Sequence, residues 1–299
     1  MTIPDPDHKA HKEDHDQARQ EEQKKKAKTF LALHSCDDPL ILPNVWDVVS
    51  ARIIEDAGFP AIATSSAGVA FSLGYPDGEK IPREEMLAAV ARIARSVKVP
   101  VTADVEAGYG PTPADAARTA RAVIEAGSVG MNLEDATGDS DQPLVELPLQ
   151  LEKIRAVRET AESLQVPLVL NARTDVYLLQ VGAPGTRYDE AIRRLRAFRD
   201  AGADCVFVPG LADAPTIARI VSDLQHPVNI LAGPGSLSVP ELRKLGVARI
   251  SLGSGPIRAA LGLLRRLAQE LKTKGTYQSL EDAPPHGEIN KLMDIAKKS

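Results

Sequence analysis

The feature that most constrains this chain is a unit that recurs from residue 40 onward: a short apolar, β-branched run, a few loop residues, then an amphipathic stretch closed by a stop such as Ala57-Gly58 or Ala126-Gly127. The apolar runs fall at 40–44, 61–65, 101–105, 130–134, 168–172, 205–209, 228–232 and 249–253, which makes eight. Helical patterns occupy 48–57, 83–96, 113–126, 147–164, 189–201, 215–224, 240–245 and 257–272. Strands separated by helices run parallel, and a continuous apolar run suits a strand covered on both faces. Eight such units predict an α/β chain closed into a (β/α)8 TIM-type barrel. A doubly wound open sheet shares the alternation, but no Gly-x-Gly-x-x-Gly follows the first run.

The ends read differently. Residues 1–28 are almost all polar, mixing Lys24, Lys25 and Lys26 with Glu21 and Glu22, and predict a charged flexible tail. His8, His11 and His15 could share a helix face and take a metal, but in such a tail they read as incidental. A short amphipathic helix is expected from near Lys25, carrying Phe30, Leu31 and Leu33. The barrel is then expected over 29–275 and a C-terminal extension over 276–299. In that extension a faint amphipathic pattern at Ile289, Leu292, Met293 and Ile295 follows the Pro284-Pro285 break, fit to cap the barrel or a neighbouring subunit.

Composition narrows the function classes. With 43% hydrophobic residues in 299 there is material for a large core. Aromatics at 4% offer few stacking platforms, and a formal net charge of −5 opposes a phosphate backbone, so no nucleic-acid partner is expected. No apolar run approaches the roughly 18 residues of a membrane span and no secretory pattern opens the chain, which predicts a cytoplasmic protein with no membrane partner. Cys36 and Cys205 lie far apart without zinc-type spacing and read as small hydrophobes.

In such a barrel, chemistry gathers at the C-terminal ends of the strands. Those ends read Thr64-Ser65-Ser66-Ala67-Gly68, Asp104-Val105-Glu106, Asn132-Leu133-Glu134-Asp135 and Asn171-Ala172-Arg173-Thr174-Asp175. Asp104 and Glu106 are two apart, so a strand would aim both toward the space reached by Glu134. Carboxylates so gathered repel one another unless a cation compensates, and hard oxygen ligands favour Mg2+ or Mn2+ over zinc. Each acid taken singly would more ordinarily cap a helix or pair with an arginine; converging at one end, they point to a dication. Arg173 is placed to clamp a carboxylate or pair with Glu134 or Asp104, and the small residues Ser65, Ser66 and Ala67 would let backbone N–H groups approach an anion.

The ordered set Pro43-Asn44-Val45-Trp46-Asp47, Ser65-Ser66-Ala67-Gly68, Leu73-Gly74-Tyr75-Pro76-Asp77, Asp104-Val105-Glu106-Ala107-Gly108-Tyr109-Gly110, Leu133-Glu134-Asp135 and Ala172-Arg173-Thr174-Asp175 resembles the isocitrate lyase/phosphoenolpyruvate mutase superfamily. The resemblance implies a Mg2+-dependent barrel in which Asp104 binds the ion and Asp77, Glu106 and Glu134 hold its waters. It also implies that Ser65, Ser66 and Ala67 bind a substrate carboxylate and that Arg173 lies near the reacting bond. A homotetramer, built as a dimer of dimers that exchange the eighth helix (257–272), is implied as well.

Departures from the family pattern matter equally. Where isocitrate lyases carry Lys-Lys/Arg-Cys-Gly-His, this chain reads Ala136-Thr137-Gly138-Asp139-Ser140-Asp141-Gln142-Pro143, which also lacks the Lys and Asn of the C–P-cleaving branches. Pro209-Gly210 and Ala232-Gly233 stand where lyases tend to carry Glu and Asn, so a small 2-oxo or 2-hydroxy carboxylate is expected rather than a tricarboxylate. The expected reaction is C–C cleavage through an enolate, with water, Glu106 or Tyr109 as proton carrier and 139–146 as a lid. Three other readings compete: C–P chemistry like that of phosphoenolpyruvate mutase and phosphonopyruvate hydrolase, a phosphate-binding barrel using Gly233-Pro234-Gly235-Ser236 and Gly253-Ser254-Gly255, and a non-catalytic barrel.

Overall fold

The computed structural model describes residues 6–35 and 37–294, with side chains from residue 17. The strands are β1 (Leu40–Leu42), β2 (Asn44–Val45), β3 (Ile62–Thr64), β4 (Val101–Asp104), β5 (Gly130–Glu134), β6 (Val169–Arg173), β7 (Cys205–Phe207), β8 (Val228–Leu231) and β9 (Arg249–Ser251). All pair in parallel in the order β1-β9-β8-β7-β6-β5-β4-β3-β2. The first apolar run therefore yields two strands rather than one. Pro43, which has no N–H to donate, separates them, and the lower piece pairs with β9 while the upper piece pairs with β3. That change of partner closes the barrel.

The helices are α1 (Pro6–Ala32), α2 (Val48–Asp56), α3 (Ser66–Ser72), α4 (Arg83–Ser96), α5 (Pro113–Glu125), α6 (Leu147–Ser163), α7 (Arg187–Asp200), α8 (Ala214–Leu224), α9 (Val239–Lys244), α10 (Gly255–Thr273) and α11 (His286–Met293). Local chemistry explains their starts. Asp47 and Thr112 close capping boxes at α2 and α5, and Pro113 sits where a missing N–H is harmless. Gly58 and Gly127 follow α2 and α5 with φ of +87° and +90°, the left-handed exit that Ala-Gly foretold.

Two expectations about the ends change. Helix α1 begins far upstream of Lys25, so the flexible tail expected over 1–28 is helical from Pro6 onward. Its apolar content is low, but Gln23 Nε2 donates to Ile124 O and Ser128 O at 2.8 and 2.9 Å, and Ala27 and Phe30 are fully buried. Phe30 plugs the lower end of the barrel. A Cβ on Gly130 would meet its Cε1 at 2.8 Å, which is why β5 starts with glycine. Burying such a ring is worth about 2–3 kcal/mol, which anchors the last turns of the helix to the barrel. The side chains of His8, His11 and His15, and Cys36, lie outside the described residues. Cys205 is buried, as expected of a small hydrophobe.

At the other end α11 docks on this chain's own α2, where Arg52 Nε donates to Leu292 O at 3.0 Å. No helix among the described residues is long and apolar enough to cross a membrane.

Candidate active site

Strands β3 to β6 bring Thr64, Asp104, Glu134 and Arg173 to the upper rim. Asp104 ends β4 and is buried. Its Oδ2 accepts from Ser66 N at 3.1 Å and Ser66 Oγ at 3.0 Å, and its Oδ1 accepts from Asn132 Nδ2 at 3.3 Å. The segment read as an open anion loop is thus the first turn of α3. Ser65 is its N-cap, accepting from Gly68 N at 3.1 Å, and the Ser66 amide is engaged by Asp104. Ala67 is buried in that same turn. A Ser N-cap competing for backbone donors starts a helix here, a signal present in Ser65-Ser66-Ala67-Gly68 and not used.

The β4–α5 loop is held in a strained shape. Glu106 and Tyr109 have φ of 52° and 57°, and Glu79 on the neighbouring loop has 56°. Glu79 N donates to Glu106 Oε2 at 2.6 Å while Glu79 Oε1 accepts from Tyr109 N at 2.7 Å. Buried Lys153 of α6 donates to Ala107 O at 2.5 Å and Gly110 O at 3.3 Å. Sequence reading missed both Glu79 and Lys153. Their spacing from the motif carries no periodic signal, and their roles are backbone contacts across 27 to 46 residues.

Positive φ turns Glu106 inward, off the alternation assumed for a strand. Its Oε1 is buried without a partner among the described residues. Burial, then the charges of Asp104 and Asp77, push its carboxyl up to about 8. Asp77 lies in an exposed turn, yet desolvation of its carboxyl and the nearby Asp104 raise it as well. The Tyr109 hydroxyl is buried and unpartnered, and burial followed by Glu106 and Glu79 holds it above the ordinary phenol range.

Arg173 and Glu134 form an ion pair at 2.7 Å, and Arg173 Nε and Nη2 grip Asp175 at 2.6 and 2.8 Å. Burial opposes the guanidinium charge, but Glu134 and Asp175 outweigh it and raise its pKa. Burial raises Glu134 well above the usual carboxylate range despite Arg173. Behind them Asp135 accepts from Thr174 Oγ1, Asp175 N and Arg194 Nη1 at 2.8, 2.9 and 3.1 Å, a buried brace that sets the β5 and β6 ends relative to each other.

Among the described residues no group of three acidic, histidine or cysteine side chains is arranged to chelate an ion by itself. Mg2+ does not require one, because it keeps several waters and takes one or two carboxylates. The donor chemistry fits that ion: Glu106 Oε1 is a buried acceptor without a donor, and four acids share a region with Arg173 as their nearby cation.

The loop over 135–146 is a small hairpin, with an Ala136–Leu144 bridge and Val145 N donating to Asp135 O at 2.7 Å. The glycine loops after β8 and β9 are occupied internally. Gly233 N donates to Ser236 Oγ at 3.0 Å, and Leu252 N and Gly253 N both donate to Asn44 Oδ1 at 2.8 Å, so these amides are not free for a phosphate. A cleft of about 670 Å3 opens at the opposite end, between α1 and the helix ends at Ser96 and Gly127, with Arg19, Arg52 and Arg95 on its walls. None of Asp77, Asp104, Glu106 and Glu134 lines it.

A closed parallel barrel with acids and one arginine at the strand ends defines the (β/α)8 enzyme class, with its chemistry at the C-terminal rim. A model of the phosphoenolpyruvate phosphomutase family matches residues 30–272, and the chain therefore belongs to that family, within the isocitrate lyase/phosphoenolpyruvate mutase superfamily. It superposes on a Burkholderia cenocepacia J2315 crystal structure described as a lyase/mutase with TM-score 0.86 and 41% identity, covering 92% of this chain and 97% of that one. Oxaloacetate acetylhydrolase, solved with the inhibitor 3,3-difluorooxalacetate, gives TM-score 0.80 and 28% identity over 91% and 94% of the two chains. An oxaloacetate decarboxylase of Bradyrhizobium diazoefficiens is 28% identical over 88% of this chain and 86% of its own length.

Proposed function

We propose that this chain is a Mg2+- or Mn2+-dependent lyase that cleaves a C–C bond of a small 2-oxo or 2-hydroxy carboxylate. The observation that carries the reading is the unpartnered, buried Glu106 Oε1 beside Asp104, Asp77 and Glu134, an accumulation of acid that a dication would relieve. Asp104 would hold the ion, with Asp77, Glu106 and Glu134 accepting from its waters. When bound, such an ion acts as a Lewis acid toward the oxygen on which negative charge develops.

The protein's own groups account for the remaining steps. Of the five N–H donors of Arg173, three are engaged by Glu134 and Asp175, leaving two for a substrate carboxylate or an enolate oxygen. With an oxaloacetate-like acid the C3–C4 bond breaks, its electron pair enters the enolate, CO2 departs and C3 takes a proton. The two buried groups placed to carry that proton are the Glu106 carboxyl, directly or through a water it holds, and the Tyr109 hydroxyl. The two relatives whose names specify oxaloacetate support a four-carbon 2-oxo diacid. The test is turnover of oxaloacetate, its 2-oxo homologues and phosphonopyruvate with Mg2+, against Asp104→Ala. No turnover of oxaloacetate or its homologues, turnover of phosphonopyruvate alone, or turnover indifferent to that substitution refutes the reading.

The assembly proposed with it is a homotetramer of helix-swapped dimers in the cytoplasm. Helix α10 buries only Ile257 in its own chain and exposes Leu261, Leu263 and Leu264, an apolar stripe suited to a second copy.

A further inference from the structure

Beside Asp104 the barrel interior carries a layer of amides next to a buried cation that, among the described residues, has no acid in bonding range. Asp104, Asn132, Asn171 and Cys205 are successive register partners across β4, β5, β6 and β7. Asn171 Nδ2 donates to Asn132 Oδ1 at 2.7 Å, and Arg249 Nη2 from β9 reaches the same oxygen at 3.5 Å. Asn132 Nδ2 in turn donates to Asp104 Oδ1 at 3.3 Å.

An amide has one accepting end and one donating end. Asn171 Oδ1 has no partner among the described residues, so the two amides could turn together, but Arg249 can only donate and so holds Asn132 Oδ1 toward itself and the NH2 group toward Asp104. A flipped Asn132 would set NH2 against the NH2 of Asn171 and the guanidinium, and oxygen against the Asp104 carboxylate, an unfavourable contact at both ends in a low-dielectric interior. Arg249 is 1% exposed, its Nε and Nη1 have no partner among the described residues, and the Phe30 ring centre lies 5.9 Å from its Cζ. A guanidinium so buried is a standing cost to stability, and a local acid in place of Asn171 would relieve it. The amide layer keeps the cost and preserves the orientation of Asn132.

That orientation has a consequence at the rim. A carboxylate offers about four acceptor positions. Ser66 fills two on Oδ2 and Asn132 fills one on Oδ1, which leaves one direction on Oδ1 for a cation. We propose that Asn132, locked by Asn171 and Arg249, is a positioning residue that sets the rotation of Asp104 and so the single direction in which its Oδ1 can bind a dication. The proposal rests on the reading of Asp104 as the ion-binding carboxylate.

The decisive variant is Asn171→Asp, nearly the same shape. The new carboxylate pairs with Arg249 and draws the Asn132 NH2 group downward, turning the Asn132 oxygen toward Asp104. Mn2+ affinity measured by calorimetry on the folded protein should fall about ten-fold or more, the range typical of losing a group that orients a metal ligand. The thermal midpoint should stay level or rise, because Arg249 gains an acid. An added negative charge alone would tighten a cation, so weakening reports the rotation and not the charge. Asn132→Ser, which removes the amide and adds no charge, should weaken Mn2+ in the same sense and decides the matter if Asn171→Asp does not fold. Unchanged Mn2+ affinity in either folded variant overturns the positioning role while leaving the ion site intact. Absence of Mn2+ uptake by the unaltered protein overturns the ion site itself.

Discussion

Glu134 and Arg173 are register partners on adjacent strands, and their side chains meet at 2.7 Å between Oε2 and Nη1 while the same guanidinium grips Asp175. The ion triad sits with little exposure, so its members depend on one another. Arg173→Met leaves two acids without their cation, and breaking a buried pair on one side costs about 3–5 kcal/mol. Urea unfolding should show a loss of that order. A triple variant that adds Glu134→Gln and Asp175→Asn should recover most of it. Equal stabilities for the single and triple variants would remove the ion-pair account.

Asp104→Asn should separate stability from function. The substitution keeps the shape, relieves repulsion with Asp77 and Glu106, and retains an acceptor for Ser66. The thermal midpoint is therefore expected to change little, relief of charge offsetting the hydrogen bond lost from Asn132, while Mg2+ binding is lost and turnover falls by about three orders of magnitude, the scale of several kcal/mol of Lewis-acid stabilisation. Retained Mg2+ uptake in the calorimeter argues for a different ligand.

His34 sets a pH dependence at the other end of the barrel. Its ring is 3% exposed, its Nδ1–H donates to Phe30 O at 2.8 Å, and burial with nearby Arg249 pushes its pKa down to about 4 from 6.5. Above 6.5 both folded and unfolded chains hold it neutral and it contributes no slope. Below 6.5 the unfolded chain takes up the proton first, so stability falls as pH drops toward about 4 and levels off beneath it. The full loss is on the order of 3 kcal/mol. Urea titrations at pH 7, 5.5 and 4.5 should show His34→Gln losing less stability than the wild type over that interval; parallel curves would exclude His34 as the source.

Helix α10 gives an assembly prediction. Replacing Leu261 and Leu264 by Asp places charge on its exposed stripe without touching Ile257. Light scattering behind a sizing column should report a smaller species than the wild type with unchanged helix content by circular dichroism. An unaltered mass would place the interface elsewhere.

Much of this was written in local patterns. Residues 83–96 form a helix with the bounds the periodicity predicted, and β5 begins and ends at Gly130 and Glu134 as its apolar run does. The convergence of Asp104, Glu106, Glu134 and Arg173 followed from their places after successive strands. Other features were not legible. Pro43 divides the first strand because barrel closure gives its two halves different partners, which no single run records. Helix α1 was read as a tail because its residues are polar, and Phe30 and Gln23 find their partners only in the assembled barrel. That Ser65-Ser66 opens a helix was not legible because a short N-capped turn and a loop share the same small residues.

Period and punctuation, apolar runs of strand length alternating with amphipathic stretches that end in glycine, determined by themselves that the chain is a parallel barrel and which of its residues reach the rim. What each rim residue does there was decided by tertiary structure: Glu106 turned inward at positive φ by Glu79, Arg173 held between Glu134 and Asp175, Asn132 oriented by Arg249 from the far strand. The division has a physical cause. Secondary structure answers to backbone geometry and burial within a few residues, whereas the direction of a polar side chain answers to donors and acceptors that only folding brings within 3 Å.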